Sequence, residues 1–350
     1  MATEIVYLLG AGASYGTRTK DEKGNDIRGY IERGIPIVNE LEDTIKILIS
    51  ELPQSKSKEA RERVVELLQW LAEKCRDFPT IDTYAKLLYV TKQENEYKKL
   101  KNGLSLFFTL VQLGAYSKKV ETMFPRDLRY DGFIASLISE NRQLPNKMKI
   151  LSWNYDCQFE LAFGEYLKSI SERYMENIWK ELNVSDKLTA STIYDGFGIV
   201  KLNGSATTVY THDNNYHNVD IFYPLMEEND DLITLCDRSF VTESNQYKNR
   251  LSFAWEQESI FFENIINQVK TAKTLVVIGY SFPYVNREID KMIIQSMGGL
   301  QTICVQDVEP SIIRERINAT LSDAQKGSKY GVTNIIEIKN LNQFVIPNEL

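Results

Sequence analysis

The chain has 350 residues, 43% of them apolar, and a formal net charge of −7 at pH 7. This length exceeds one average domain and predicts two units of unequal kind with a sizeable core. The acidic balance argues against a general electrostatic grip on nucleic acid or on an anionic membrane. We find no apolar stretch of about 18 residues and no secretory leader pattern, so we expect a cytoplasmic protein.

The cysteines and histidines form no recognisable metal or disulfide pattern. His212 and His217 lack the spacing of a helical metal pair, and we expect them in a polar loop. The cysteines lie far apart without a C-x-x-C pair, which favours buried, reduced thiols. They are Cys75, Cys157, Cys236 and Cys304. We therefore expect no metal site.

The first predicted element is a strand at residues 5–9, whose continuous apolar run is typical of a strand buried on both faces. Residues 17–33 are charged and contain glycine, which predicts an exposed excursion. From about residue 39 to 140 apolar residues recur at helical spacing. We interpret residues 39–147 as a helical subdomain inserted into a Rossmann-like domain made of residues 1–38 and 148–350.

Short apolar runs that predict strands return after residue 147, in the segments MKILSW, GIVKL, TLVVIG and QTICVQ. Helical patterns separate most of them, and the clearest cover residues 251–269 and 286–297. This alternation predicts an α/β fold with a mainly parallel sheet covered by helices.

Small or polar residues follow the predicted strands, and open α/β sheets bind ligands beyond these strand ends. Gly10 and Gly12 would let backbone N–H groups meet a pyrophosphate, with Ser14 as a hydroxyl donor. The third glycine of the usual dinucleotide fingerprint is displaced, and a tight strand-to-helix turn is the alternative interpretation. Asn154 and Asp156 would face one side of an extended strand end, unless they form an Asx turn.

Five short motifs together resemble the sirtuin-like NAD-consuming domains: GAGAS at 10–14, GIP at 34–36, SWNYD at 152–156, KLNGS at 201–205 and VVIGYSF at 276–282. The likeness is greatest to the bacterial sirtuin-like domains of anti-phage defence, and it covers both ends of the chain but not the helical insert in detail.

The resemblance implies a role for each matching position. Asn154 would lie at the nicotinamide ribose with Asp156 supporting it. Gly279 and Ser281 would contact the adenosine side, and Asp307 would accept hydrogen bonds from the adenosine ribose. Ile35 and Pro36 would belong to a flexible loop over nicotinamide. The implied catalytic residues are Asn154, Asp156 and Asn203. The implied NAD-binding residues are Gly10, Ala11, Gly12, Ser14, Ile35, Pro36, Gly204, Ser205, Gly279, Ser281 and Asp307.

Two departures from the family bear on the reaction. The sequence lacks the four-cysteine zinc module of the deacetylases, and Asn203 stands where the family has a histidine. Asparagine can hydrogen-bond a ribose hydroxyl but cannot take its proton. The change counts against a deacylase more than against a hydrolase, because nicotinamide leaves as a neutral group. His212 or His217 could replace the lost base from the following loop.

The resemblance therefore implies an NAD glycohydrolase that releases nicotinamide and ADP-ribose and depletes NAD during anti-phage defence, with NAD as substrate and no metal. The alternatives, in order, are a non-catalytic NAD- or ADP-ribose-binding regulatory module, a protein deacylase and a redox dehydrogenase. Such a hydrolase must be silent before infection. We therefore expect a homo-oligomer, or gating by a sensor or a DNA-translocating ATPase partner.

Overall fold

The computed structural model describes residues 2–113, 126–167, 174–192, 195–206, 208–211, 218–220, 231–242, 244, 247–256, 259–327 and 331–350. Seven of the described strands form one sheet in which every neighbouring pair is parallel. Their spatial order is Asn334–Ile338 (β12), Thr302–Gln306 (β11), Thr274–Ile278 (β10), Ile5–Leu9 (β1), Met148–Ser152 (β4), Gly198–Lys201 (β6) and Val184–Ser185 (β5).

Two smaller antiparallel sheets accompany this central sheet. One is a hairpin of Thr17–Lys20 (β2) and Asp26–Arg33 (β3). The other contains Thr208–Thr211 (β7), Asn218–Asp220 (β8) and Tyr247–Asn249 (β9).

Helices fill most of the connections between the strands of the central sheet. Between β3 and β4 lie Leu41–Glu51 (α1), Lys58–Asp77 (α2), Ile81–Val90 (α3), Glu94–Gln112 (α4) and Leu128–Leu137 (α5). The later helices are Gln158–Gly164 (α6), Tyr174–Glu181 (α7), Leu232–Asp237 (α8), Ser259–Val269 (α9), Arg287–Ser296 (α10), Pro310–Thr320 (α11) and Asp323–Gly327 (α12).

The strand β1 has an apolar layer on each of its faces. Ile5, Tyr7 and Leu9 belong to the core that holds apolar residues of α1 to α6. Val6 and Leu8 belong to the core formed with α9, α10 and α11. Successive side chains of a strand point to opposite faces, so the unbroken apolar run follows from burial on both sides. The α/β prediction is confirmed: the sheet is Rossmann-like and parallel.

The chain reverses its direction of travel across the sheet between β1 and β10. From β1 it continues to β4 on one side, and it later returns to β10 on the other side before adding β11 and β12. In open α/β sheets such a switch point leaves a crevice at the carboxyl ends of the two strands. The fold therefore places a candidate ligand site after Leu9 and Ile278.

Two parts of the chain differ from the sequence expectation. Residues 17–33 form the β2–β3 hairpin, and Arg18 and Ile31 within it are buried. The sequence gives no sign of the hairpin because the buried arginine breaks the apolar alternation that predicts a strand. Residues 251–256 are not helical, and α9 begins at Ser259. The aromatic side chains before α9 therefore do not belong to its apolar face, although their spacing suggests it.

Across the described ranges, none of the helices combines the length and the apolar character required to cross a bilayer.

Candidate functional site

Two cavities open beyond the carboxyl ends of β1 and β10. The first encloses about 530 Å³, and the predicted site residues in its wall are Gly10, Ala11, Ile35, Pro36, Asn154, Asp156, Asn203, Gly279 and Ser281. The second encloses about 750 Å³ and includes Gly12, Gly279 and Asp307. Gly279 lines both, so the cavities meet at the switch point of the sheet. The structure thus brings most of the predicted residues together.

Asn154 is held by the turn that follows β1. Its side-chain nitrogen donates hydrogen bonds to the Gly10 carbonyl at 2.9 Å and to Ser14 Oγ at 3.1 Å. Ser14 is fully buried, and its hydroxyl also lies 2.9 Å from the hydroxyl of Tyr130. Ser14 therefore contacts Asn154 and Tyr130, and it lines neither cavity.

Asp156 is a buried carboxyl with a lysine behind it. Burial raises the pKa of Asp156, and the Lys201 ammonium and a hydrogen bond from the backbone of Gln158 oppose part of that rise. Lys201 donates to the Asp156 carbonyl and lies 3.2 Å from Glu160. Although burial disfavours its charge, the Glu160 carboxylate keeps the pKa of Lys201 raised overall. Sequence reasoning missed Lys201 and Glu160 because each lies within an apolar run that predicts core.

Asn203 has one satisfied and one unsatisfied end. Its side-chain nitrogen donates to the Trp153 carbonyl at 3.2 Å, and its backbone carbonyl accepts from Ser252 at 2.8 Å. The side chain is buried, with 8% of the residue exposed, and Oδ1 has no hydrogen-bond partner among the described residues. Buried acceptors are rarely left unpaired. Oδ1 itself exposes almost no surface to the cavity, so a ligand donor would reach it after the Asn203 side chain turns.

The glycines after β1 allow a close contact with the turn after β10. A Cβ atom at Gly10 would lie 2.6 Å from the Gly279 carbonyl oxygen, and one at Gly12 would lie 2.7 Å from the Gly279 Cα. The amide of Gly12 donates to the Gly279 carbonyl, and the Gly10 and Ala13 amides also donate to carbonyls. These three N–H groups are engaged within the protein. The sequence suggests that these glycines bind a pyrophosphate through their amides. Close packing of the two turns explains much of the same glycine pattern.

The segment that includes Ile35 and Pro36 is joined to the same turn. The Ile35 amide donates to the Ser14 carbonyl at 2.7 Å, and Gly34 has a positive φ of 90°. Ile35 and Pro36 are buried and contribute apolar surface to the first cavity.

The remaining wall of the first cavity comes from helices and from the segment before α9. Leu104 and Phe108 of α4 and Phe253 and Trp255 supply apolar surface, and Asp82 supplies a carboxylate from the first turn of α3. Sequence reasoning missed Asp82. The only signal at that position was a Thr-x-Asp start typical of a helix N-terminus.

The second cavity combines Asp307 with two arginines. Asp307 follows β11, is half-buried, and accepts a hydrogen bond from the Glu309 amide at 3.1 Å. Arg33 and Arg129 lie in the same wall, and Arg129 also contacts Asp127 and the Gly12 carbonyl. Both arginines are candidate partners for a phosphate, and the sequence offered no signal for either.

Some predicted residues lie elsewhere. Gly204 and Ser205 are buried behind the first cavity and line neither pocket; Ser205 Oγ lies 3.3 Å from the sulfur of Cys157. His212 and His217 lie outside the described residues, so the suggestion that one of them supplies a base stays a prediction. Within the described ranges there is no group of three or more His, Cys, Asp or Glu side chains that could hold a metal ion.

No protein-family model matches the chain, and no curated protein does. Among solved structures, a Sir2 variant with a deacetylated p53 peptide and 3′-O-acetyl ADP-ribose matches with 11% sequence identity and a TM-score of 0.33. The match covers 96% of this chain and 88% of that chain. A TM-score of this size does not establish a shared fold.

Proposed function

We propose that this protein hydrolyses NAD at the bond between nicotinamide and ribose and releases nicotinamide and ADP-ribose. The observation that carries the proposal is the pair of cavities meeting at Gly279, at the switch point of the parallel sheet. Dinucleotides bind across the crevice at such points. The adenosine half would lie by Asp307, which can accept from ribose hydroxyls, and the nicotinamide half by Asn154 and Asn203.

The chemistry of the first cavity suits cleavage of an N-glycosidic bond. Its described lining contains the carboxylates Asp82 and Asp156 but no lysine or arginine. The nicotinamide ring of NAD is cationic, and the departing ring leaves positive charge on the sugar, as in glycoside hydrolysis. A preorganised, partly desolvated acidic site stabilises that charge. Asn203 Oδ1 would hold the ribose through a hydroxyl group.

The family resemblance in the sequence extends the proposal to biological role. We place the enzyme in bacterial anti-phage defence, where it depletes NAD after infection. Self-association, or a sensor or DNA-translocating ATPase subunit, would hold its turnover at a low basal rate beforehand. These assignments rest on the motif resemblance alone.

A second candidate function is a module that binds NAD or ADP-ribose without turnover. Asn203 favours it, because a carboxamide cannot take a proton from a ribose hydroxyl or from water. The module would use the same two cavities.

The test is nicotinamide release from NAD by the purified chain, without an acyl-lysine peptide, together with NAD-induced thermal stabilisation. We expect the native chain to release nicotinamide and Asn154→Ala to lose that release. Asp307→Ala should weaken NAD binding about 10-fold or more while leaving the rate at saturation nearly unchanged, because its hydrogen bonds lie far from the reacting bond.

Other outcomes separate the two candidates. Thermal stabilisation by NAD without nicotinamide release, with release gained in Asn203→His, would favour the binding module. Neither stabilisation nor release would contradict both. Asn154→Ala also removes hydrogen bonds to the Gly10–Ser14 turn, so its thermal unfolding midpoint must be measured beside its activity.

A further inference from the structure

Asp82 places a carboxylate in the wall of the first cavity. It lies in the first turn of α3, which is capped by Thr80, whose Oγ1 accepts a hydrogen bond from the Thr83 amide at 3.2 Å. Among the described residues its side chain has no hydrogen-bond or ion-pair partner, and it is half-buried. Buried carboxylates are normally paired, so this unpaired one in a cavity wall is a candidate partner for a ligand.

Asp82 faces the strand ends across the cavity. Burial raises the pKa of Tyr155 and of Tyr280 well above the ordinary value. The Asp82 carboxylate adds to both shifts, although at Tyr280 its contribution is smaller than that of Asp290. Tyr155 follows β4 and Tyr280 follows β10, and both line the cavity. Asp82 is therefore electrostatically close to the segments that carry the predicted catalytic residues.

A second, independent observation indicates that a ligand belongs between these walls. The buried Asn203 lines the same cavity with an unpartnered Oδ1, and it stands where the resemblance implies a histidine base. Asn203 can accept a hydrogen bond but cannot carry a proton away. The described part of the cavity thus has an orphaned acceptor on its sheet side and a free carboxylate on its helical side.

Building on the proposed function, we propose that Asp82 is the catalytic base of NAD hydrolysis. The bond between the anomeric carbon and the nicotinamide nitrogen breaks, and its electron pair stays with neutral nicotinamide. A water oxygen forms the new bond to the anomeric carbon, and the Asp82 carboxylate takes the proton from that water. The proton then passes to solvent, so NAD and water give ADP-ribose, nicotinamide and one proton.

The environment of Asp82 suits this task. Burial raises its pKa to about 6, which leaves the carboxylate ionised near pH 7 yet a better base than an exposed aspartate. Other titratable or charged side chains of this cavity and of the elements packed against α3 include Lys74, Tyr84, Lys86, Tyr89, Glu96, Tyr97, Lys101, Tyr155, Asp156, Glu256, Tyr280 and Tyr284.

The decisive experiment compares steady-state nicotinamide release from NAD by the native chain, Asp82→Asn and Glu59→Gln. Glu59 is the matched control, because it is an exposed acid at the equivalent first-turn position of α2, two residues after the cap Ser57. We expect Asp82→Asn to lower kcat about 10²- to 10⁴-fold, the usual effect of removing a general base. KM should change less than about 3-fold. Glu59→Gln should match the native chain.

Two further readouts distinguish a base from a helix-stabilising acid. The native kcat should fall below about pH 6 as Asp82 becomes protonated, and Asp82→Asn should lack that limb. Azide attacks carbon without losing a proton, so it should restore nicotinamide release in Asp82→Ala with formation of an azido sugar. It should not do so in Asn154→Ala.

The outcomes are separable. Full activity in Asp82→Asn, or loss of activity in Asp82→Ala that azide does not restore, would overturn the role of Asp82 while leaving the hydrolase proposal intact. No nicotinamide release by the native chain would overturn the hydrolase and this role with it.

Discussion

At the scale of single residues, the candidate site depends on three glycines that bring two strand ends together. The turn after β1 and the turn after β10 contact each other through backbone atoms at Gly10, Gly12 and Gly279. Gly279 has a positive φ of 57°, and a Cβ atom there would overlap the backbone of Gly12 and Ala13. A side chain at position 279 is therefore disfavoured for two separate reasons: the positive φ, and the absence of space for a Cβ atom.

We predict that Gly279→Ala destabilises the chain more than Gly24→Ala does, by about 2 kcal/mol or more. Gly24 has a positive φ of 83°, but a Cβ atom placed on it would have no neighbour within 4 Å. Gly24→Ala therefore measures the free-energy penalty of the positive φ alone, without a steric clash. Urea unfolding of both variants gives the difference in free energy of unfolding. Equal destabilisation would mean that the turns can separate without penalty and that close packing does not define the crevice.

At the scale of elements, the β2–β3 hairpin is joined to the start of α1 by a buried ion pair. Arg18 donates to Glu40 at 2.9 and 2.6 Å, and it also donates to the Ile35 carbonyl at 3.2 Å. Its side chain is fully buried, and that of Glu40 is 8% exposed. The segment with Ile35 lies between hairpin and helix, so this pair positions one wall of the first cavity.

We predict that Glu40→Gln lowers the free energy of unfolding by about 3–5 kcal/mol, because the charge of Arg18 would remain buried without its partner. Glu62→Gln is the control: it removes a carboxylate whose side chain is 60% exposed and which pairs with Lys58 at 3.6 Å. Exposed pairs contribute little, so stability should hardly change. Denaturant unfolding measures both. Similar effects in the two variants would contradict the structural role of the buried pair.

At the scale of the whole molecule, stability against pH is tied to buried carboxyls, of which Asp290 is the clearest. Asp290 is 1% exposed and accepts hydrogen bonds from Trp153 at 3.2 Å and from Tyr280 at 2.8 Å. Burial raises its pKa to about 7. These bonds join α10 to the strand ends behind the first cavity, so the proton on Asp290 affects the cohesion of the sheet with its helices.

The sign of the pH effect follows from proton counts. Between about pH 4, where an unfolded aspartate ionises, and pH 7, the folded chain keeps a proton that the unfolded chain has lost. The free energy of unfolding from this group therefore falls as pH rises through that window and is level above it. The asparagine in Asp290→Asn carries no charge at any pH, so its contribution to the free energy of unfolding does not change with pH.

We predict that Asp290→Asn gains stability relative to the native chain between pH 5 and pH 7.5, by roughly 1 kcal/mol or more. The measurement is urea unfolding of both chains at several pH values. The exposed Asp323→Asn should follow the native curve. Parallel curves for the native chain and Asp290→Asn would show that Asp290 does not retain a proton in the folded state.

The strands and most helices of the central fold were predictable because each carries a local signal. The unbroken apolar run of β1 predicts a buried strand, and the helical spacing around Leu68 predicts a buried helix face. Both segments are buried as expected. The β2–β3 hairpin was not predictable from sequence. Its buried Arg18 is stabilised by an ion pair with Glu40, which lies 22 positions away in the sequence. No short window of sequence contains that compensation.

The sequence by itself determined that the chain is an α/β protein with small and polar residues after its strands, because periodicity and strand-end chemistry are local. It placed Gly10, Asn154, Asn203 and Gly279 in one prospective site through their position after strands. Only the tertiary structure decided that the glycines contact each other and that Asp82 shares the cavity. Strand order and helix packing bring together groups that lie far apart along the chain, and those depend on the burial of the whole core.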